Sequence, residues 1–426
     1  MKHLTFLCLV ILCWTPTADA ITMEDLFSAL HDHPVTELDM LQTRASELRQ
    51  QSVYDRFYPS ISGELGYQRF NSPTNWRPVL PTESAALLAN NEALPFSETL
   101  RRIGAELSFP VFVKELFSQG KQTERLLNSA RARTRLNLLE HQAVLVTADA
   151  HLIHMNSLRK SLTARKASLE KTRGDVILKV ENGRIPETEK IRMDEAITLI
   201  DLTFNETRRQ EIELQKTIEA LTSIHLKQPL PLQQVGEINA GELYALKPLQ
   251  ERMKAGEYGV QAARDKLYPR ILASAKWYHY YGEGYNTGDN VGDEYGFYGL
   301  TLQMPLFNKP AYTAIEQAEI ELHKEKARLG KTEIQLQARA RSLQETLKLL
   351  DNSRDLAAKS VEHERRLLDV AKISYASRRM NQEEYLRYEE KVLSAEAKLY
   401  LTKAQWWETF SALAVLYGNN LQQLIQ

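Results

Sequence analysis

Two different spacings of apolar residues run along this chain. In four short segments apolar side chains fall at every second position: Ile61, Gly63, Leu65 and Tyr67 alternate with Ser62, Glu64, Gly66 and Gln68, and Ile103, Ala105, Leu107 and Phe109 with Gly104, Glu106 and Ser108. Further on, Ile271, Ala273, Ala275 and Trp277 alternate with Leu272, Ser274, Lys276 and Tyr278, and Leu300, Leu302 and Met304 with Thr301 and Gln303. A period of two predicts strands with one apolar and one polar face. Each segment is about 8–10 residues, enough for a tilted strand to cross a bilayer, with aromatics gathered toward the ends.

Elsewhere the spacing is three and four. Leu336, Ala340, Leu343, Leu347 and Leu350 form one such stripe, and Tyr385, Tyr388, Val392, Ala395, Leu399, Thr402 and Trp406 another. Both predict helices packed as coiled coils. A second stripe, Leu386, Leu393, Ala397, Leu401 and Ala404, shares the last helix, so that helix needs neighbours on two sides, as in a sheet or ring of helices. From Val111 to Asn182 there is no proline and the only glycines are Gly120 and Gly174; from Ala311 to Ser377 there is only Gly330. About 70 helical residues at about 1.5 Å each predict rods on the order of 100 Å.

These elements recur in one order. Each half has a Tyr-Pro step (Tyr58-Pro59, Tyr268-Pro269), a hairpin, a long helix, a break and a second helix. The exits "ELSFPVF" and "TLQMPLF" end at Phe112 and Phe307, 195 residues apart, and the breaks at Gly183 and Arg378 share that offset. The chain is therefore read as a first repeat over 21–225 with its hairpin at about 59–110, a linker over 226–245, and a second repeat over 246–426 with its hairpin at about 269–305. The polar segments 71–100 and 282–295 are expected to be the hairpin loops.

Composition narrows the function. The 426 residues include 26 % charged side chains yet carry a formal net charge of −1, which gives no surface for nucleic acid. Residues 1–20 have the layout of a secretory signal peptide, ending in Ala18-Asp19-Ala20, and both cysteines, Cys8 and Cys13, fall inside it. The mature chain is expected to start at Ile21 without disulfide, thiolate site or lipid anchor. No apolar run reaches about 18 residues, so a membrane-spanning part must be a closed β-barrel. Four strands cannot enclose a lumen, so several chains must pool theirs.

In order and spacing, the segments "ITMEDLFSALHDHP", "YPSISGELGY", "LSFPVF" and "VENGRIPETEKIRMDEAI", with their counterparts "YPRILASAKW", "LTLQMPLF" and "SYASRRMNQEEYLRYEEKVLSAEAKLYLTKAQWW", resemble the TolC-type outer-membrane efflux family of Gram-negative bacteria. The resemblance implies a mainly α fold with a small β part. It also implies a homotrimer whose 12-stranded transmembrane β-barrel, four strands per chain, continues into a long periplasmic α-helical barrel. The segment His225–Leu243 would form a small equatorial region. The implied function is a passive outer-membrane exit duct of a tripartite efflux or type I secretion system. Its implied partners are a periplasmic adaptor (membrane fusion protein), an inner-membrane pump or ABC exporter, and outer-membrane lipid. The rival from another class is a periplasmic coiled-coil adaptor or scaffold with soluble strands. A secreted adhesin would not need matched halves.

Three departures from the family pattern stand out: "FNKPAYTA" follows the last strand where relatives have a glycine-rich turn, Arg378 replaces a glycine, and the chain ends at Gln426 without the C-terminal extension of some members.

The resemblance also implies site residues. The helical tip turns around Gly183, Pro186, Arg378 and Asn381 would form a gated periplasmic mouth. Glu384 matches an acidic ring at the constriction, where three carboxylates would favour cations. Alternatively, Asn381 caps the last helix with Glu384 at its third position. The second acidic ring is missing, since Arg387 takes its place, and the cation preference should weaken. Glu189, Tyr375 and Arg379 match positions that lock the closed mouth; the other reading is that Glu189 complements a helix dipole behind Pro186 and Arg379 is solvated.

Remaining candidates are weaker. His151, His154 and Met155 have helical spacing and suggest either a soft-metal site or seam residues, as do His31 and His33. Trp277, Tyr278, Tyr280 and Tyr281 suit an interfacial girdle better than a ligand platform. No nucleophile–base pair or phosphate loop appears, so no catalysis, cofactor or metal is expected.

Overall fold

The computed structural model describes residues 21–377, 379, 380 and 382–426, with only the backbone of Gln382 and Glu383. The signal-peptide segment 1–20, Arg378 and Asn381, including the proposed Asn381 cap, lie outside the described residues. Along the chain come α1 (Met23–His31), α2 (Pro34–Asp55), β1 (Ser60–Asn75), α3 (Pro81–Ala89), β2 (Phe96–Val113), α4 (Lys114–Glu181) and α5 (Glu187–Thr222). Then follow α6 (Lys247–Asp265), β3 (Arg270–Glu283), β4 (Asn290–Gln303), α7 (Lys309–Ala376) and α8 (Gln382–Tyr417). Helices α4 and α7 are each 68 residues long and start 195 positions apart; α5 and α8 are each 36 residues long with the same offset. The segment "FNKPAYTA" is a helix start: the side chain of Asn308 accepts from the Ala311 amide at 3.3 Å, and Pro310 sits in the first turn, where its missing N–H costs nothing.

The chain divides into two compact units. The first comprises the described residues of Met1–Glu37 with Asn137–Glu242 and Arg339–Gln426. Its core gathers Leu26, Leu30, Leu145, Val146, Ile218 and Leu421, all fully buried, with Trp406 stacked on Phe410 at 4.9 Å. Helix α1 begins with a reciprocal cap between Thr22 and Asp25. The last residue pairs with the segment after α5, Gln426 and Gln233 exchanging backbone hydrogen bonds of 2.9 and 3.0 Å.

Within this unit α8 lies between α4 and α7. The His154 ring bonds the Ala397 carbonyl at 3.0 Å and Arg165 pairs with Glu390 at 2.8 Å; on the other side the Trp406 indole donates to Asp351 at 2.8 Å and Arg365 pairs with Glu396 at 2.7 Å. Helix α5 packs on α4 through Lys166–Asp201 at 2.7 Å and Arg173–Asp194. The order is α5, α4, α8, α7. The two stripes on α8 are thus both covered inside one chain. Uncovered apolar residues lie instead on the flanking helices: Ile191, Leu199 and Leu202 of α5, and Leu349, Leu356 and Val370 of α7, one and then two heptads apart.

The second unit holds Leu38–Leu136 and Leu243–Ala338. Its helices run in the order α2, α4, α6, α7, joined by Arg131–Glu47 at 2.9 Å, Arg125–Glu251 at 3.2 Å and Arg264–Glu319 at 2.6 Å. The strands form one antiparallel sheet in the order β1-β2-β3-β4. At 14 to 18 residues they exceed the expected length, and the β3–β4 connection shrinks to 284–289. The first loop carries the short helix α3. Pairing outruns the apolar alternation because the outer ends are held by polar contacts, with Arg77 bridging Glu83 at 2.6 Å and Asp293. Among the described residues no helix is long and apolar enough to cross a membrane.

A buried carboxyl sits in the first unit. Asp149 is fully buried, accepts the Leu230 amide at 3.0 Å through Oδ1, and has no partner for Oδ2 among the described residues. Burial pushes its pKa up to about 7, against the smaller opposing effect of the Leu230 bond. The unfolded chain releases this proton near pH ~4, so the contribution to stability is complete below that pH and is lost as pH rises through about 7. Thermal melts of the purified protein should show a midpoint that falls between pH 5 and 8. Asp149→Asn should flatten this dependence and raise stability at pH 8 by about 1–3 kcal/mol.

Candidate functional site

Two features have the geometry of a functional site: the two faces of the sheet, and the paired turns that end the long helices.

The register sets the faces of the sheet. Ile61 lies opposite Leu107, Leu107 opposite Ala275, and Ala275 opposite Tyr298; two residues along, Gly63, Ala105, Trp277 and Gly296 form the next row. This face is apolar and uncovered, with Leu65 81 % and Tyr298 91 % exposed in the isolated chain. The opposite face is ionic. Glu64 takes a hydrogen bond from Tyr278 at 3.0 Å and pairs with Arg102, while Lys276 meets Glu106 at 2.8 Å. Gly104 makes room for this network, because the Tyr278 ring lies where a side chain at 104 would begin. Trp277 and Tyr281 lie on the apolar face, whereas Tyr278 and Tyr280 pack on the ionic face with Trp76 and Leu100. The expected girdle of four aromatics is thus split between two faces by strand alternation.

The turns repeat one geometry. After α4, Gly183 takes φ 66°, and the amides of Gly183 and Arg184 bond the carbonyls of Val180 and Lys179, both at 2.8 Å. After α7, the Arg379 amide bonds the Ser374 carbonyl at 2.9 Å, the same pairing 195 residues on. Pro186 precedes α5 in extended conformation and supplies no side-chain cap. Glu189 lies in the first turn of α5 and pairs with Arg192 at 2.9 Å, one turn further along the same helix. Tyr375 stacks instead on Tyr385, with ring centroids 5.0 Å apart, tying the end of α7 to the start of α8. A hydrogen bond to Glu389 pushes the Tyr385 hydroxyl up to about 12, keeping it a proton donor. Glu384 and Arg387 are exposed on the first turns of α8.

Several members of this region have no mark in the sequence. Arg165 and Glu390 are 225 positions apart, and Arg173–Asp194 spans a turn, so neither pair has the i,i+4 spacing that would reveal it. The histidines take different partners: His154 is buried against α8, which lowers its pKa, and His151 meets Glu408 at 3.4 Å. Among the described residues no three His, Cys, Asp or Glu side chains converge as a metal site.

The chain thus presents an uncovered apolar sheet face backed by an ionic face, joined to paired long helices. Residues 245–419 match the outer membrane efflux protein family. Over most of its length the chain is similar to three solved outer-membrane proteins. With CmeC of Campylobacter jejuni the TM-score is 0.74 at 15 % identity, covering 94 % of this chain and 85 % of that one. With VceC of Vibrio cholerae it is 0.72 at 13 % identity, covering 93 % and 96 %. With MtrE of Neisseria gonorrhoeae, solved in its open state, it is 0.69 at 13 % identity, covering 94 % and 90 %. No curated relative matches the sequence. The chain has the outer membrane efflux protein fold, with the family's own domain recognisable over residues 245–419.

The left-handed residue gives the turn a local test. Gly183→Val should cost about 1–3 kcal/mol at this turn, because a β-branched residue resists φ near 66°. Hydrogen exchange should speed up by about fivefold or more in peptides spanning 178–187, with exchange around α1 unchanged.

Proposed function

We propose that this protein is the outer-membrane exit duct of an efflux or secretion system, conducting substrate passively from an inner-membrane pump and periplasmic adaptor to the outside. The observation that carries this reading is the two-faced sheet. An apolar face left uncovered over four strands suits lipid, and the Glu64, Arg102, Glu106 and Lys276 network on the reverse suits a water-filled lumen. The same face argues against a soluble adaptor, which would have to bury it.

Three chains joined at the β1 and β4 edges would close a 12-stranded barrel. The uncovered apolar stripes of α5 and α7 are the matching edges of the helical rows. At the turns, Glu189, Tyr375 and Arg379 are proposed to hold the closed mouth together. Glu384, with Arg387 one turn on, is proposed to line the constriction and to favour cations weakly. That MtrE has an open state fits a mouth with two positions.

Fractionation and planar-bilayer recording test the reading together. The protein should sediment with outer membrane, migrate as a heat-modifiable oligomer and form discrete ion channels; a water-soluble monomer without conductance would refute it. In the same recordings Glu189→Ala should raise single-channel conductance by about twofold or more, since a surface pair with Arg192 alone contributes at most about 1 kcal/mol and would leave conductance unchanged. Glu384→Gln should move the reversal potential in a salt gradient toward lower cation preference.

A further inference from the structure

The apolar face of the sheet changes character at the end away from the helices. Arg101 lies directly between Tyr67 of β1 and Tyr281 of β3, and Arg69 lies diagonally beside it, two positions along β1 from Tyr67. By the strand alternation all four side chains are on the face that carries Ile61, Leu65 and Ile103. Diagonal neighbours stand about 7–8 Å apart, close enough for two guanidinium groups to share one headgroup. An open groove of about 510 Å³ runs beside Arg101, walled by Leu65, Tyr67, Ile103 and Tyr281.

Among the described residues neither arginine has an ion-pair partner, although the inward-facing Arg102, next in sequence, is paired with Glu64. The acidic groups of this face do not neutralise them: Glu294 is engaged with His279 at 3.4 Å, and Glu283 lies on β3 opposite Asn290. Height also places this row. From Ile271 to Tyr281 is ten residues, about 33 Å along a strand, or about 25 Å along the membrane normal at ordinary barrel tilt, which is the height of a lipid-facing apolar band. Charge without a partner at the upper rim of such a band meets lipid headgroups.

We propose that Arg69 and Arg101, flanked by Tyr67 and Tyr281, form a binding site for the phosphate groups of an outer-leaflet glycolipid. The guanidinium forks suit phosphate, the tyrosine rings offer flat faces to sugar rings, and the groove below takes an acyl chain. Two adjacent guanidiniums match a headgroup with more than one phosphate better than a phospholipid with a single one. The inference rests on the barrel reading above.

The test uses the full-length protein purified from outer membrane in mild detergent, as wild type and as the Arg69→Gln/Arg101→Gln double variant. Retained lipid is quantified by native mass spectrometry, and each protein is also presented with vesicles containing phosphorylated glycolipid, phosphatidylglycerol or phosphatidylcholine. Wild type should retain phosphorylated glycolipid, and the double variant should bind it at least tenfold more weakly with single-channel conductance unaltered. Equal glycolipid binding by a conducting double variant would overturn the site, as would wild-type binding of phosphatidylglycerol as strong as that of glycolipid. A wild type that forms no channel would overturn the barrel reading, and the site with it.

Discussion

The backbone groups along the outer edges of β1 and β4 set the conditions for the rest of this protein. In the isolated chain the four strands satisfy one another through β2 and β3, and the sheet ends in two rows of unpaired N–H and C=O groups. In water these edges could be solvated. In lipid each such group costs several kcal/mol, so a sheet with an apolar outer face has to close, and four strands are too few to do so around a lumen. In the proposed barrel, symmetric pooling of identical sheets would avoid that cost, with the ionic network of Glu64, Arg102, Glu106 and Lys276 turned away from lipid.

The helical rows obey the same logic with side chains in place of backbone. In each unit four helices lie side by side, and the inner ones are covered on both flanks by their own chain. The outer ones keep uncovered apolar stripes, which in the proposed oligomer would face another copy. Ion pairs such as Arg165–Glu390 and Arg365–Glu396 lie across helix seams and fix register more than they add stability, since exposed pairs contribute about 0–1 kcal/mol. The apolar seams supply the cohesion of helices far too long to be held by one globular core.

At the paired turns, tight backbone closure is combined with side chains free to change partners. The backbone bonds after α4 and α7 are alike, and the Tyr375–Tyr385 stack joins the second pair of helices within the chain. Glu189 and Arg192 form only an exposed pair one turn apart, which competing partners can replace at little cost. In the proposed mouth, weak contacts between coils would hold the closed state while each coil stays intact.

The sequence by itself determined the element types and which strand residues share a face, because these depend on short-range periods of two and of three to four that any local window contains. The 195-residue offset between exits and turns reappears in helices of equal length. It did not determine strand ends, where polar pairs such as Arg77–Asp293 extend the ladder past the apolar alternation. Nor did it tell which helices cover the two stripes of α8. Only the tertiary structure decided that α4 and α7 cover them, that Tyr278 fills the space over Gly104, and that Asp149 is buried against the Leu230 amide. Each of these joins residues dozens to hundreds of positions apart, where the outcome depends on the packing of whole helices and strands and no local spacing carries the information.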